Sequence, residues 1–226
     1  MWTKEKKRKL EQSRIDSTRL LADTLLKLEN PPSVFVCASA IGFYGNRKDE
    51  VLTENSNPGK GFLADLCLKW ESEAARVAEK NIRPVMLRIG VVLTPSGGML
   101  QKILPPFELG GGGPIGSGKQ YISWIAIDDL VSAIYHCICT PDVKGAVNAT
   151  APDSCTNSDF TKSLGKVLHR PTIFPVPELA LRLVFGEMAK DTMLSSCRAE
   201  PTKLSETGYK FLYPKLEPAL KHVLGK

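Results

Sequence analysis

Proton chemistry in this chain centres on Ser39, Tyr44, Asp65, Lys69 and Glu71. A hydroxyl, a phenol, carboxylates and an amine are the groups that pass protons once their neighbours tune them. A Tyr and a Lys four residues apart on a helix would share one face, and the ammonium would lower the phenol's pKa. Of the five tyrosines only Tyr44 has a lysine at that spacing, Lys48, and the pair falls in a loop. No glycine-flanked serine stands on a strand-to-helix elbow, so a Ser-His-Asp hydrolase is not indicated.

The run Gly110 to Gly118 is the second stretch with chemical potential. Gly111-Gly112-Gly113-Pro114-Ile115-Gly116 matches G-x-G-x-x-G in letters, and Gly113 to Gln120 is one residue short of a P-loop. Gln120 stands where a P-loop needs a hydroxyl for magnesium. Both motifs also need a helix N-terminus immediately after them to receive phosphate. Here a proline-containing helical segment precedes, and the strand-like Tyr121-Ile122-Ser123-Trp124-Ile125 follows. The run therefore reads as a flexible or substrate-covering loop, in which glycine permits positive φ and close backbone approach. His136, His169 and His222 are scattered, and none of the six cysteines has C-x-x-C spacing. No metal site is expected, and the cysteines read as reduced thiols of a cytoplasmic protein.

The elements that must position these groups alternate. Residues 3–29 read as one helix stopped by Pro31-Pro32, with Leu21, Leu25 and Leu28 at helical spacing. The apolar run Val34 to Ala38 suits a strand buried in a parallel sheet. A polar loop over 46–60 precedes a helix over 61–80 striped by Phe62, Leu66, Trp70, Ala74 and Val77. A strand over 85–93, a helix near 99–104 disturbed by Pro105-Pro106, and a strand over 121–127 come next. Asp128-Asp129 suits the positive end of a helix running to about Cys139, with Asp128 as its cap. A last strand covers 147–150. Residues 151–226 are mostly helical, at 157–168, 178–185, 201–206 and 216–224. The order implies α/β layering, with a sheet domain at 1–150 and a helical domain at 151–226.

Hydrophobic residues make up 42% of the 226 and charged residues 24%, which is ordinary globular usage. No apolar run approaches the roughly 20 residues of a membrane helix, and the N-terminus lacks the apolar core of a secretory signal. Net charge is +6, half of it in residues 1–30, where eight Lys/Arg face five acids. The acids are interspersed and no aromatics interleave, so this is a solvated helix face and no nucleic-acid partner is expected.

Three strings carry a resemblance. Ala38-Ser39-Ala40-Ile41-Gly42-Phe43-Tyr44-Gly45, Leu87 to Leu93, and Gly116 to Gln120 with Trp124 to Leu130 resemble the extended short-chain dehydrogenases/reductases. The string Leu104 to Gly118 narrows the likeness to their atypical epimerase-family proteins with a helical C-terminal domain of unknown role. The resemblance runs from Trp2 to the C-terminus. It implies a Rossmann-like parallel sheet whose first βαβ units, with the pyrophosphate-binding glycine turn, would lie upstream. It implies NADP as cofactor, with Arg14 (beside Ser13) and Val92 near it. It puts Ser39 and Tyr44 at the catalytic position, and Gly116, Gln120 and Trp124 on an unknown small-molecule substrate. Positions 63 and 67, where such enzymes carry Tyr and Lys, hold Leu63 and Cys67. The usual catalytic Ser/Thr falls on Ala40, and Ala126 replaces a His. The expectation is an NADP-dependent oxidoreductase or epimerase. The alternative is a non-catalytic product of a truncated or split gene that associates through an exposed sheet edge.

Overall fold

The computed structural model describes residues 2–226; Met1, at the head of the expected first domain, lies outside the described residues. Thr3 caps α1 (Lys4–Glu11) by accepting the Lys6 N–H at 3.2 Å. A π-helical turn over Gln12–Asp16 leads into α2 (Ser17–Lys27). The expected single helix is thus one rod with a bulge. The hydroxyls of Ser13 and Ser17 take carbonyls of Leu10 and Ser13 there, and such side chains compete with the backbone ladder.

The strands are β1 (Val34–Ala40), β2 (Val51–Leu52), β3 (Arg83–Ile89), β4 (Val91–Leu93), β5 (Tyr121–Ile122), β6 (Trp124–Ala126), β7 (Gly145–Ala149), β8 (Cys155–Thr156) and β9 (Arg198–Ala199). The further helices are α3 (Phe62–Ala75), α4 (Gly98–Glu108), α5 (Ile127–Cys139), α6 (Asn157–Leu168), α7 (Glu178–Phe185), α8 (Thr202–Glu206) and α9 (Leu216–Val223). β1, β3 and β7 form a parallel sheet in that spatial order, with α3 and α5 in the crossovers. Among the described residues β1 pairs with β3 alone. The α/β class and the parallel pairing are as expected.

Several elements differ from the sequence reading. The strand expected over 85–93 breaks at Gly90. A Cβ there would lie 2.7 Å from the Ser123 carbonyl oxygen, so only glycine lets β3 hand over to β4, which pairs in parallel with β6. The strand expected over 121–127 breaks at Ser123, whose buried hydroxyl donates to the Cys197 carbonyl and accepts the Ala199 N–H. The loop 46–60 contains β2, which pairs with β9 from the far end of the chain. Pro105 and Pro106 lie inside α4 and do not end it. The helix survives because Leu100 and Phe107 are buried on either side, and the N–H groups of Leu109 and Gly111 close onto the two proline carbonyls.

Asp128 does not cap α5; Ala126 holds that position, and Asp128 meets His222 at 2.9 Å. The neighbouring Asp129 is fully buried. It accepts the N–H groups of Leu212 and Tyr213 at 2.7 and 2.9 Å and the Tyr209 hydroxyl at 3.1 Å. This one carboxylate fastens the C-terminal segment to the sheet layer. Phe160, Leu164, Leu216 and Leu220 share a core with Leu93, Leu100, Phe107 and Trp124. Residues 151–226 therefore pack into the same hydrophobic interior as the sheet. Among the described residues no helix is long and apolar enough to cross a membrane.

Candidate functional site

Ligands of open parallel sheets bind beyond the carboxyl ends of the strands. A cavity of about 600 Å³ lies there in this chain. Ile41 and Gly42, directly after β1, and Val91 in β4 form one wall with Leu63 of α3. Met99, Ile103 and Phe107 of α4 form a second. Tyr121 and Ile122 of β5 and Asn157, Phe160 and Thr161 of α6 form a third. The segment Glu187 to Met193 covers the remaining side, where Lys7 of α1 reaches Glu187 at 2.6 Å. Burial, helped by neighbouring Glu187, pushes the Asp191 carboxyl above its ordinary range.

Behind the β1 wall runs a buried polar network. The Ser39 hydroxyl donates to Glu71 at 2.6 Å. Arg88 of β3 meets both Glu71 oxygens, Nε at 2.9 Å and the second guanidinium nitrogen at 2.8 Å. Its remaining nitrogen donates to the Tyr44 hydroxyl at 3.0 Å, and the guanidinium lies 3.4 Å from the Phe43 ring centre. The Tyr44 hydroxyl donates to Asn148 Oδ1 at 2.7 Å. Burial pushes the Tyr44 phenol up to about 12, against the opposing pull of Arg88. A phenol held this way stays protonated and keeps its place in the network.

The glycine run 110–118 lies over the cavity, Gly113 and Ile115 lining it. Its glycines are used for close packing. A Cβ on Gly113 would fall 1.8 Å from the Phe174 carbonyl oxygen, and one on Gly118 2.0 Å from Ser158 Oγ. No helix N-terminus follows, since β5 comes next. The run is a fitted wall and not a phosphate cradle.

The family model described as "Domain of unknown function (DUF1731)" matches residues 176–223. Epimerase family protein Mb2239 of Mycobacterium bovis is 40% identical over 97% of this chain and 72% of its own length. The chain belongs to this epimerase family. The chloroplastic Epimerase family protein SDR39U1 homolog of Arabidopsis thaliana is 39% identical over 99% of this chain, which spans 64% of that protein. The crystal structure of human epimerase family protein SDR39U1 (isoform2) with NADPH covers 100% of this chain and 76% of the human one, at TM-score 0.95 and 34% identity. A nucleoside-diphosphate sugar epimerase from Corynebacterium glutamicum matches at TM-score 0.81 and 33% identity, with 44% of its chain covered. The epimerase-family member described here therefore has the α/β, Rossmann-like parallel sheet.

Within this epimerase-family site, the expected residues occupy two tiers. Ser39 and Tyr44 are buried in the network behind the wall; Ile41, Gly42 and Gly45 are the neighbours that face the cavity. Gln120 is buried, its amide donating to the carbonyls of Ile115 and Met193 at 3.1 and 3.2 Å, so it ties the glycine run to the covering segment. Gly116 supplies a left-handed turn at φ 57° whose N–H meets Val176. Trp124 is wholly buried and donates to the Asp153 carbonyl. Val91 lines the cavity, while Val92 packs toward the core formed by Val85, Ile125 and Val147. Adjacent strand residues face opposite ways, which separates the two valines. The Arg14 guanidinium sits 5.7 Å from the Trp70 ring centre and donates to the Ser13 hydroxyl. Leu63 stands in the cavity wall and Cys67 is buried behind it.

Tyr121, Asn157 and Thr161 are among the polar groups of the cavity that the sequence does not single out. Tyr121 has Ile125, not a lysine, four residues on, so its local sequence carries no proton-transfer signal. Asn157 and Thr161 carry a readable signal. They share the apolar face of α6 with Phe160 and Leu164, and all four are buried. A polar residue on an apolar face needs a partner.

Proposed function

We propose that this chain forms the substrate side of an NADP-dependent oxidoreductase or epimerase acting on a small molecule. The carrying observation is a mainly apolar cavity at the carboxyl ends of β1 and β3, in a chain that aligns throughout with the NADPH-bound human relative. The residues present suit one end of a dinucleotide. Ile41, Leu63 and Val91 offer an apolar wall for a nicotinamide ring, and Arg14, which has no ion-pair partner among the described residues, offers a guanidinium for phosphate. The fitted glycine run supplies no pyrophosphate cradle. NADP, when bound, supplies or accepts a hydride.

The chain's own residues bind, orient and exclude water. The Ser39–Glu71–Arg88–Tyr44 network holds the turn that places Ile41 and Gly42 at the wall. Leu63 contributes no proton, so Tyr121 is the phenol of the cavity wall among the described residues and the group we assign to proton transfer. The six free cysteines support a reducing compartment, and a cytoplasmic location is part of this proposal. We also propose residues 1–150 and 151–226 as its two domains. Titrating NADPH fluorescence against the chain tests the reading. Saturable binding that Arg14→Ala weakens several-fold is expected; no saturation at millimolar cofactor overturns it.

A further inference from the structure

The cavity's lining argues against a diphosphate substrate. Its cationic lining side chains are Lys60 and Lys190; of the two carboxylates beside them, Asp191 and Glu187, the second is already engaged by Lys7 at 2.6 Å. No arginine lines it among the described residues. A diphosphate entering such a site would lose its hydration without gaining a bidentate guanidinium partner. The rest of the wall is dominated by Ile41, Met99, Ile103, Phe107 and Phe160. A volume of about 600 Å³ fits a drug-sized apolar molecule.

Polar groups on the α6 side of this wall point to one functional group. Asn157 is 5% exposed and Thr161 3% exposed, one helical turn apart. The Ile115 N–H donates to Asn157 Oδ1 at 2.7 Å, which fixes the orientation of the amide. Its free end is therefore the NH2 donor. Neither that nitrogen nor the Thr161 hydroxyl has a hydrogen-bond partner among the described residues, yet neither is sealed off from the cavity. Each residue is more than nine-tenths buried and its donor opens on the cavity, so the pair is placed to meet an acceptor that arrives with a ligand. A carbonyl oxygen, with two lone pairs, can accept from both at once.

We infer that the cavity takes an uncharged, predominantly apolar ketone or aldehyde whose carbonyl oxygen is held by Asn157 and Thr161. The inference rests on the functional reading above for its chemical sense, since a carbonyl is the group a nicotinamide cofactor reduces. The geometry that supports it is independent of cofactor.

The test is calorimetric titration of the chain, without cofactor, with 2-acetylnaphthalene, its near-isosteric hydrocarbon 2-isopropylnaphthalene, and UDP-glucose. Thr161→Val removes a hydroxyl at nearly constant shape, and Asn157→Asp keeps the acceptor for Ile115 while removing the donor. Each is expected to weaken the ketone about five- to tenfold, as loss of one buried hydrogen bond does, and to leave the hydrocarbon within about twofold. Circular dichroism confirms that each variant is folded, and Thr161→Val alone suffices if Asn157→Asp is not. Ketone affinity unchanged by Thr161→Val, no ketone binding to the parent chain, or UDP-glucose binding tighter than the ketone each overturns the inference. A parallel NADPH titration separates the two readings: a chain that binds NADPH and not the ketone refutes only the carbonyl site. A chain that binds the ketone and not NADPH supports the site and refutes the cofactor.

Discussion

Arg88→Met is the most informative perturbation of the framework. The guanidinium is buried and makes bonds of 2.9 and 2.8 Å to Glu71, 3.0 Å to the Tyr44 hydroxyl and 3.3 Å to the Glu54 carbonyl. Methionine fills much of its volume and removes all of these. Glu71 is then left buried with only the Ser39 hydroxyl at 2.6 Å. Removing one member of a buried ion pair costs about 3–5 kcal/mol, because the other charge is stranded. A domain holds only about 5–15 kcal/mol in total. At about 2–4 °C per kcal/mol for a chain of this size, the melting temperature falls by roughly 6–20 °C. The double variant Arg88→Met/Glu71→Leu removes both charges and is expected to recover most of the loss, since the pair's attraction is largely offset by its desolvation. Urea and thermal unfolding at pH 7, followed by circular dichroism, close the cycle. If Arg88→Met costs less than about 1 kcal/mol, or if the double variant is as unstable as the sum of the singles, the network does not act as a coupled buried unit.

Asp129→Ala strands two backbone N–H groups in the interior, while the Tyr209 hydroxyl keeps the backbone carbonyl of residue 129 at 2.9 Å. It is expected to lower the urea midpoint by the equivalent of about 2–4 kcal/mol, and an unchanged midpoint would refute the fastening role. Burial lowers the pKa of His136 below its ordinary 6.5. The unfolded chain then binds the extra proton more readily, so stability rises with pH from the folded value up through about 6.5 and levels off above it. His136→Gln flattens that rise in a melting series from pH 5 to 8; an identical slope in the variant would exclude His136 as its source. Cys139 is the exposed thiol, whereas burial pushes Cys155 and Cys197 up to about 12. Native protein is therefore expected to react with a disulfide reagent rapidly at one thiol of six and at all six in denaturant; several fast native thiols would contradict the packing.

Local patterns carried much of the architecture. The helix expected over 157–168 is α6 residue for residue, because Thr156 accepts the Asp159 N–H as its cap and the apolar spacing continues to Leu168. The parallel class followed from apolar runs too short and too uniform for helices. The family strings placed Leu63 and Cys67 where proton-transfer residues would have stood, and the fold puts Leu63 in the cavity wall. These features depend on a few neighbouring residues, so one chain reports them.

Long-range partners decided the rest. Tyr44 is a plausible catalyst by type, but its hydroxyl is spent on Asn148, 104 residues away, and on Arg88. The glycines of 110–118 look like a phosphate loop until Phe174 and Ser158 are seen against their α-carbons. Gly90 reads as part of one strand, yet the Ser123 carbonyl pressed on it divides that strand in two. The cavity draws its walls from the turn after β1, from α3, α4, β5 and α6, and from the segment before β9. A side chain's chemistry depends on which groups share its desolvated space, and in this protein those groups come from stretches of chain with no pattern in common.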